Sequence, residues 1–137
     1  MAGSEEVRLS AALVRDSARA GGWDLEVVVV NAGAVPLYLN PPWYGHVVTF
    51  ARLYDAEGRE IRQRYRVKPN PAALQSFFRV EAGESLKGKL QDLDRGYWPK
   101  DWARGRYFKV KYAGRCQAGR EKRARPLAVE SGVVALP

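Results

Sequence analysis

Residues 59–68, with the sequence REIRQRYRVK, alternate between two kinds of side chain. One set is mostly apolar and the other mostly cationic: Ile61, Gln63, Tyr65 and Val67 alternate with Glu60, Arg62, Arg64, Arg66 and Lys68. Successive side chains of a β-strand point to opposite faces, so this pattern predicts a strand with one face on the core and a basic face in solvent. The stretch therefore indicates an all-β domain with a positively charged surface.

Eight other stretches have strand character, and together they predict the fold. They are short, rich in β-branched and aromatic residues, and separated by turn sequences. The predicted strands are residues 7–13, 23–31, 35–39, 46–54, 76–81, 86–90, 106–113 and 129–136. Residues 92–104 are expected to hold one short helical turn. Short strands at this regular spacing predict an antiparallel immunoglobulin-like β-sandwich of seven to nine strands.

Length and composition are those of one globular domain. The 137 residues suffice for a hydrophobic core without metal or disulfide support. We expect a single domain over residues 1–137, with residues 1–6 disordered and a mobile basic loop at residues 114–127. No apolar run approaches the roughly 20 residues of a membrane-spanning helix. The N-terminus lacks the pattern of a signal peptide, which favours the cytoplasm; the envelope or periplasm is the alternative if a leader has been removed.

Cys116 is the only cysteine, which excludes an internal disulfide and a cysteine-based metal cage. A single cysteine is typical of a reducing compartment. Its surroundings, GRCQAGR over residues 114–120, predict a loop. In such a loop the thiol is either incidental or made reactive by its cationic neighbours.

The sequence contains no recognisable catalytic arrangement. His46 is the only histidine, and there is no Gly-x-Ser-x-Gly elbow, phosphate-binding glycine loop or His-Glu-x-x-His motif. The acid pairs Asp92/Asp94 and Asp55/Glu57 lie in turn-like segments, where aspartate usually serves backbone geometry. We therefore predict a protein that is not an enzyme, with no catalytic residue, metal site or cofactor.

Two aromatic connections are candidate contacts for a partner protein. The first, NPPWYGH at residues 40–46, is stiffened by two prolines and contributes Trp43, Tyr44 and His46. The second, GYWPKDW at residues 96–102, contributes Trp98 and Trp102. Tryptophan and tyrosine are the residues that most often anchor protein interfaces. The alternative is that these rings cap the ends of the core.

Cations are unevenly distributed and lie on strand faces. The net charge of +8 combines −3 over residues 1–61 with +11 over residues 62–137. Candidate polyanion contacts are Arg62, Arg64, Arg66, Lys68, Lys109 and Lys111, and Lys87 and Lys89 share the same alternation. Alternate side chains on a strand lie about 6.6 Å apart, a spacing that suits contact with a polyanion. The alternatives are a solvated face or lysines that guard strand edges against aggregation.

Five segments carry a resemblance to a known family. They are EVVVVNAG at 26–33, PLYL at 36–39, RLYDAEG at 52–58, VEAGES at 80–85 and GRYFKVKY at 105–112. Their order resembles the bacterial intracellular proteinase-inhibitor family and related immunoglobulin-like domains. The resemblance implies a non-catalytic domain that binds proteins through loops at one end of a sandwich. No reactive-site motif is matched, and the double-tryptophan and 114–126 segments depart from the family.

The sequence thus predicts a non-catalytic immunoglobulin-like module that binds a partner protein through aromatic loops. A protease is the partner that the resemblance implies. One alternative is a domain that binds a nucleic acid or another acidic polymer through its basic strand face. The other is a structural subunit that pairs through strand edges. The oligomeric state is left open at this point.

Overall fold

A computed structural model describes residues 6–15, 22–42, 48–63, 74–118 and 123–137 of the chain. These residues contain nine strands and, between the seventh and eighth, two short helical turns at Leu93–Tyr97 and Trp102–Arg104. The strands are β1 Val7–Arg15, β2 Trp23–Asn31, β3 Leu37–Leu39, β4 Thr49–Tyr54, β5 Glu60–Ile61, β6 Phe78–Val80, β7 Ser85–Leu90, β8 Tyr107–Ala118 and β9 Arg125–Ala135. The predicted all-β class is confirmed, and residues 92–104 hold two short helical turns where the sequence predicts one.

The strands form two antiparallel sheets around one core. The smaller sheet has the order β1-β2-β7, and the larger, six-stranded sheet has the order β5-β4-β8-β3-β6 with β9 also paired to β8. Alternation along each strand explains which residues enter the core. Leu25, Val27 and Val29 of β2 are buried, and so are Phe108, Val110 and Tyr112 of β8. No helix in the described part of the chain is long and apolar enough to cross a membrane.

Strands β3 and β4 are two parts of one interrupted strand. Cys116 of β8 pairs with Leu39 of β3 on one side and with Arg125 of β9 on the other. Tyr107, at the start of β8, pairs with Tyr54 of β4 and again with β9. Because β9 occupies one edge of β8 throughout, β3 and β4 share the opposite edge in sequence. The chain leaves that edge after Leu39 and rejoins it at Thr49.

Hydrogen bonds hold the sheet together across the interruption. The amide of Ala113 donates to the carbonyl of Val48 at 2.7 Å, and the amide of Arg115 donates to Oδ1 of Asn40 at 2.5 Å. Gly114 lies between these two bonds, and a Cβ there would stand only 2.9 Å from Asn40 Oδ1 and from the Tyr112 hydroxyl. Glycine is therefore required at position 114, because these two groups approach its Cα too closely to leave room for a side chain.

Several sequence-based boundaries are wrong. Of the predicted strand at 59–68, only Glu60–Ile61 is a strand; Arg62 and Gln63 follow it without pairing, and residues 64–68 lie outside the described residues. Of the predicted basic loop at 114–127, residues 114–118 belong instead to β8 and residues 125–127 to β9, while residues 119–122 lie outside the described residues. The glycines and charged residues of this segment favour a loop, but pairing with strands distant in the chain holds its described residues in the sheet.

The expected setting of Cys116 is also wrong. Cys116 is not a loop thiol but a fully buried residue of β8 in the core. Glu6 makes two contacts with the rest of the fold: its carboxylate accepts a hydrogen bond from Arg125 at 2.9 Å, and its carbonyl accepts the amide of Ala32 at 2.7 Å. Residues 1–5 lie outside the described part of the chain.

Candidate polyanion-binding face

Trp98 belongs to the core. Its side chain is 0% exposed, its ring centroid lies 5.4 Å from that of Phe108, and its indole N–H donates to the carbonyl of Ile61 at 2.7 Å. The prediction that Trp98 contacts a partner protein is therefore wrong, because no part of the ring reaches the surface. A tryptophan that caps the core needs an acceptor for its buried indole N–H, and the Ile61 carbonyl provides one.

Trp102 occupies an intermediate position. Its ring centroid lies 5.7 Å from that of Phe108, and the half-buried side chain packs against the core cluster. Asp101, just before it, forms a surface ion pair with Arg104 at 2.9 Å. Part of the Trp102 ring stays accessible, so its contact with a partner stays a prediction.

The other three predicted aromatic contacts, Trp43, Tyr44 and His46, lie outside the described residues. The flanks of their segment are described and firmly held. Pro42 is buried, and its carbonyl accepts a hydrogen bond from the Thr49 hydroxyl at 2.9 Å. This anchor stands against the Ala113–Arg115 part of β8, about 20 Å along the strand from Phe108, where Trp98 and Trp102 pack.

The cations predicted on β8 lie on the outer face of the six-stranded sheet. Lys109 and Lys111 are exposed and alternate with buried Phe108, Val110 and Tyr112. Arg52 of β4 lies directly opposite Lys109, and Phe50 lies opposite Lys111. Two rows of this face thus each place a β4 side chain beside a β8 lysine. This surface, made by Phe50, Arg52, Tyr54, Lys109 and Lys111, is called the basic face below.

A shallow groove of about 220 Å³ runs over the basic face. It is lined by Phe50, Arg52, Tyr54, Lys109, Val110, Lys111, Ala113 and Glu130. Three cations and a single carboxylate contribute to this lining, so its local charge is positive. Glu130 of β9 stands opposite Lys111 in the pairing of β8 with β9 and offsets part of that charge.

Two aromatic rings, those of Phe50 and Tyr54, line the groove. Tyr54 and Tyr107 face each other across β4 and β8 with ring centroids 5.1 Å apart and planes inclined by 10°. The ammonium of Lys109 lies 5.3 Å from the centroid of the Tyr54 ring, within cation–π distance. Phe50 remains 39% exposed on the same face. Aromatic and cationic groups therefore share one surface.

Arg52 and Phe50 are site residues that sequence reasoning missed. Val47, Val48 and Phe50 lie close together in the sequence, so the predicted strand at 46–54 looks apolar on both sides. The informative signal is the alternation from Thr49 onward, in which buried Thr49, Ala51 and Leu53 alternate with exposed Phe50 and Arg52. That alternation places an aromatic ring and a guanidinium two residues apart on one face.

The predicted cations do not all join the basic face. Lys87 and Lys89 are exposed on β7 of the three-stranded sheet, where Lys89 pairs with Glu26 of β2. They are therefore not part of a plate with Lys109 and Lys111. Arg62 is exposed just after β5, at the side of β4 away from β8. Arg64, Arg66 and Lys68 lie outside the described residues.

One member of each acid pair, Asp55 and Asp94, accepts main-chain hydrogen bonds. Oδ1 of Asp55 accepts the amides of Glu57 and Arg59, both at 2.9 Å, and closes the turn between β4 and β5. The bond from the Arg59 amide is the largest of the effects that lower the pKa of Asp55. Oδ1 of Asp94 accepts the amide of Trp23 at 3.1 Å. In the described part of the chain no group of three or more His, Cys, Asp or Glu side chains could hold a metal ion.

Comparison with known proteins yields a small set of distant structural likenesses. No family model matches the chain, and no curated protein matches it. The chain is similar to a structural-genomics target called SoR45, with 8% identity, a TM-score of 0.48, and coverage of 97% of this chain and 87% of that one. It is also similar to a putative ApaA protein from Bordetella pertussis, with 14% identity, a TM-score of 0.45 and coverage of 95% and 89%. A protein from Archaeoglobus fulgidus shows 15% identity, a TM-score of 0.36 and coverage of 90% and 91%.

Proposed function

We propose that this protein is a non-catalytic binding domain whose basic face binds an anionic polymer. The observation that carries the proposal is the convergence of Arg52, Lys109 and Lys111 around one groove. Lys109 and Lys111 stand about 6.6 Å apart along β8, and Arg52 extends the charge to the neighbouring strand. A linear polyanion can contact such a row with successive charges, whereas a small anion uses only one or two of them.

Protection of a sheet edge does not explain these lysines. Edge strands often carry lysine because it discourages pairing with another chain. Strand β8, however, has β4 and β3 on one edge and β9 on the other, so its backbone is already paired. Lys87 and Lys89 fit the protective role better, since β7 is the last strand of its sheet in the described residues. The cations of the basic face are thus available for a binding role.

The overall charge favours the same partner class. A net charge of +8 attracts polyanions at long range and speeds their association at low salt. Two antiparallel sheets around one core support the immunoglobulin-like assignment made from sequence, and such sandwiches serve as scaffolds for binding surfaces.

The proposal is tested with two double variants of equal charge. Lys109→Gln/Lys111→Gln removes two cations from the basic face, and Lys87→Gln/Lys89→Gln removes two from the opposite sheet. Binding of inorganic polyphosphate, measured by calorimetry over a series of salt concentrations, should weaken with salt for the unmodified protein. The first variant should lose most of this binding and the second little. Equal losses in both variants, or binding that ignores salt, would show that the basic face is not the site.

A second candidate function is binding of a partner protein through Trp43, Tyr44 and His46, with Trp102 as a further contact. The supporting observation is the anchoring of their segment inside the sheet, by Asn40 at one end and by Val48 and Thr49 at the other. An insert with fixed ends loses less conformational entropy on binding. Inhibition of a protease is one form of this function. Pairing through strand edges, the third prediction from sequence, stays a prediction.

A further inference from the structure

Phe50 has an environment that the electrostatic proposal does not explain. The Phe50 ring is 39% exposed on a polar strand face, so much of its apolar surface gains no free energy from burial. A small or charged residue at this position would be better solvated. It stands opposite Lys111 and two positions before Arg52, so cations lie beside it along the strand and across it. An exposed ring surrounded by cations suits a ligand that carries both flat apolar groups and negative charges.

The neighbouring aromatic pair extends this surface. Tyr54 and Tyr107 lie nearly parallel, and Lys109 stands over Tyr54. Phe50 and Tyr54 are four residues apart on one face of β4, or about 13 Å. Arg52 lies between them on the same face. The order along the strand is therefore ring, cation, ring.

We infer that the basic face binds single-stranded nucleic acid without regard to sequence. This inference rests on the proposed function, since it names the polymer that the same cations attract. One base stacks on Phe50, while Arg52, Lys109 and Lys111 neutralise the neighbouring phosphates. Every base has a flat π-face, so stacking on aromatic side chains tolerates any sequence. A double helix keeps its bases stacked inside, so it offers phosphates to this face and nothing to Phe50.

The test separates stacking from charge by comparing three probes of equal phosphate number. These are a fluorescently labelled oligothymidylate, an abasic deoxyribose-phosphate oligomer of the same length, and a duplex, each measured by anisotropy at several salt concentrations. The oligothymidylate should bind roughly tenfold more tightly than the abasic strand, the effect expected of one base stacked on one ring. Phe50→Ala should remove this difference and leave binding of the abasic strand unchanged.

Phe78→Ala provides the matched control. Phe78 is similarly exposed, at 43%, but it lies on β6 and does not line the groove. This variant should keep the preference for bases. Circular dichroism and thermal unfolding of both variants establish that each is folded, as expected for truncation of exposed rings.

The outcomes distinguish the inference from the proposal beneath it. Equal binding of the abasic strand and the oligothymidylate, in a protein that binds polyphosphate, would overturn nucleic-acid recognition and leave polyanion binding intact. Tighter binding of the duplex would also overturn it. Failure of every anionic probe to bind would overturn both. A base preference that survives Phe50→Ala would show that the stacking site is elsewhere.

Discussion

The hydroxyl of Tyr112 donates a hydrogen bond to the main-chain carbonyl of Asn40, 2.6 Å away. Both residues are fully buried, and the bond joins β8 to the chain just where it leaves the sheet after β3. The side chain of Asn40 also accepts the Arg115 amide and donates to the carbonyl of Ser76 at 2.9 Å. This cluster fixes the start of the segment that carries Trp43, Tyr44 and His46.

Removal of the Tyr112 hydroxyl should destabilise the protein. In Tyr112→Phe the carbonyl of Asn40 loses a buried donor, at a cost of about 1–3 kcal/mol in the free energy of unfolding. Urea denaturation followed by fluorescence measures the loss. Tyr54→Phe, on the exposed face of β4, should change stability by no more than about 0.5 kcal/mol. Equal effects in the two variants would contradict the role given to the buried bond.

Stability should also fall at alkaline pH because of Tyr112. Burial raises the pKa of Tyr112 well above its ordinary value of about 10. The unfolded chain therefore releases this proton at lower pH than the folded one, and the stabilisation, complete below about pH 10, is lost as the pH rises further. Burial raises the pKa of Tyr97 as well, which acts in the same direction. The free energy of unfolding, measured between about pH 8 and 11, should decline less steeply in Tyr112→Phe.

Substitution of Gly114 should damage the interrupted edge. A Cβ at this position meets Asn40 Oδ1 and the Tyr112 hydroxyl at 2.9 Å, so at least one of these groups must move. Gly114→Ala should lower the free energy of unfolding by about 1–3 kcal/mol, as overpacking usually does. Gly96→Ala is the control, because a Cβ there makes only an ordinary contact at 3.6 Å with the Cβ of Asp92. If Gly114→Ala left the free energy of unfolding unchanged, Asn40 or Tyr112 could move at this site without cost, contrary to the prediction.

The two tryptophans of the second aromatic connection should behave differently. Trp98→Ala leaves a large cavity and an unsatisfied Ile61 carbonyl, and should cost about 3–5 kcal/mol of stability. Trp102→Ala should cost less, because this side chain is only half buried. Thermal unfolding ranks the two. If Trp98→Ala left the stability of the protein nearly unchanged, the place of Trp98 in the core would be contradicted.

Partner-protein binding predicts a specific loss in Trp43→Ala. A discrete protein retained from a source lysate at high salt and after nuclease treatment should bind this variant more weakly by about 2 kcal/mol or more. The affinity should depend little on salt. Lys109→Gln/Lys111→Gln, which alters the basic face, should leave that binding unchanged. If a folded Trp43→Ala protein bound the partner normally, Trp43 would not be an anchor of the contact.

The exposure of Lys109 and Lys111 was predictable because alternation is a local property. Phe108, Val110 and Tyr112 mark the buried side of β8, and the lysines must then point outward. The same reasoning predicted β2 with its observed bounds, Trp23–Asn31. The partial failure at 59–68 has a tertiary cause. In the described residues, pairing of β4 with β5 ends at Ile61, so Arg62 and Gln63 continue the alternation without a partner strand.

The sequence by itself determined the all-β class, the inward and outward faces of the long strands, and the turn role of Asp55. These depend on side-chain period and on hydrogen bonds between residues close in the chain. Three facts follow from the fold and not from local pattern: Arg52 lies beside Lys109, Lys87 lies on the other sheet, and Trp98 is part of the core. Those facts depend on which distant strands pair and in which register. A turn fixes the register only between neighbouring strands of a hairpin, whereas pairing between strands distant in the chain depends on packing of the whole core.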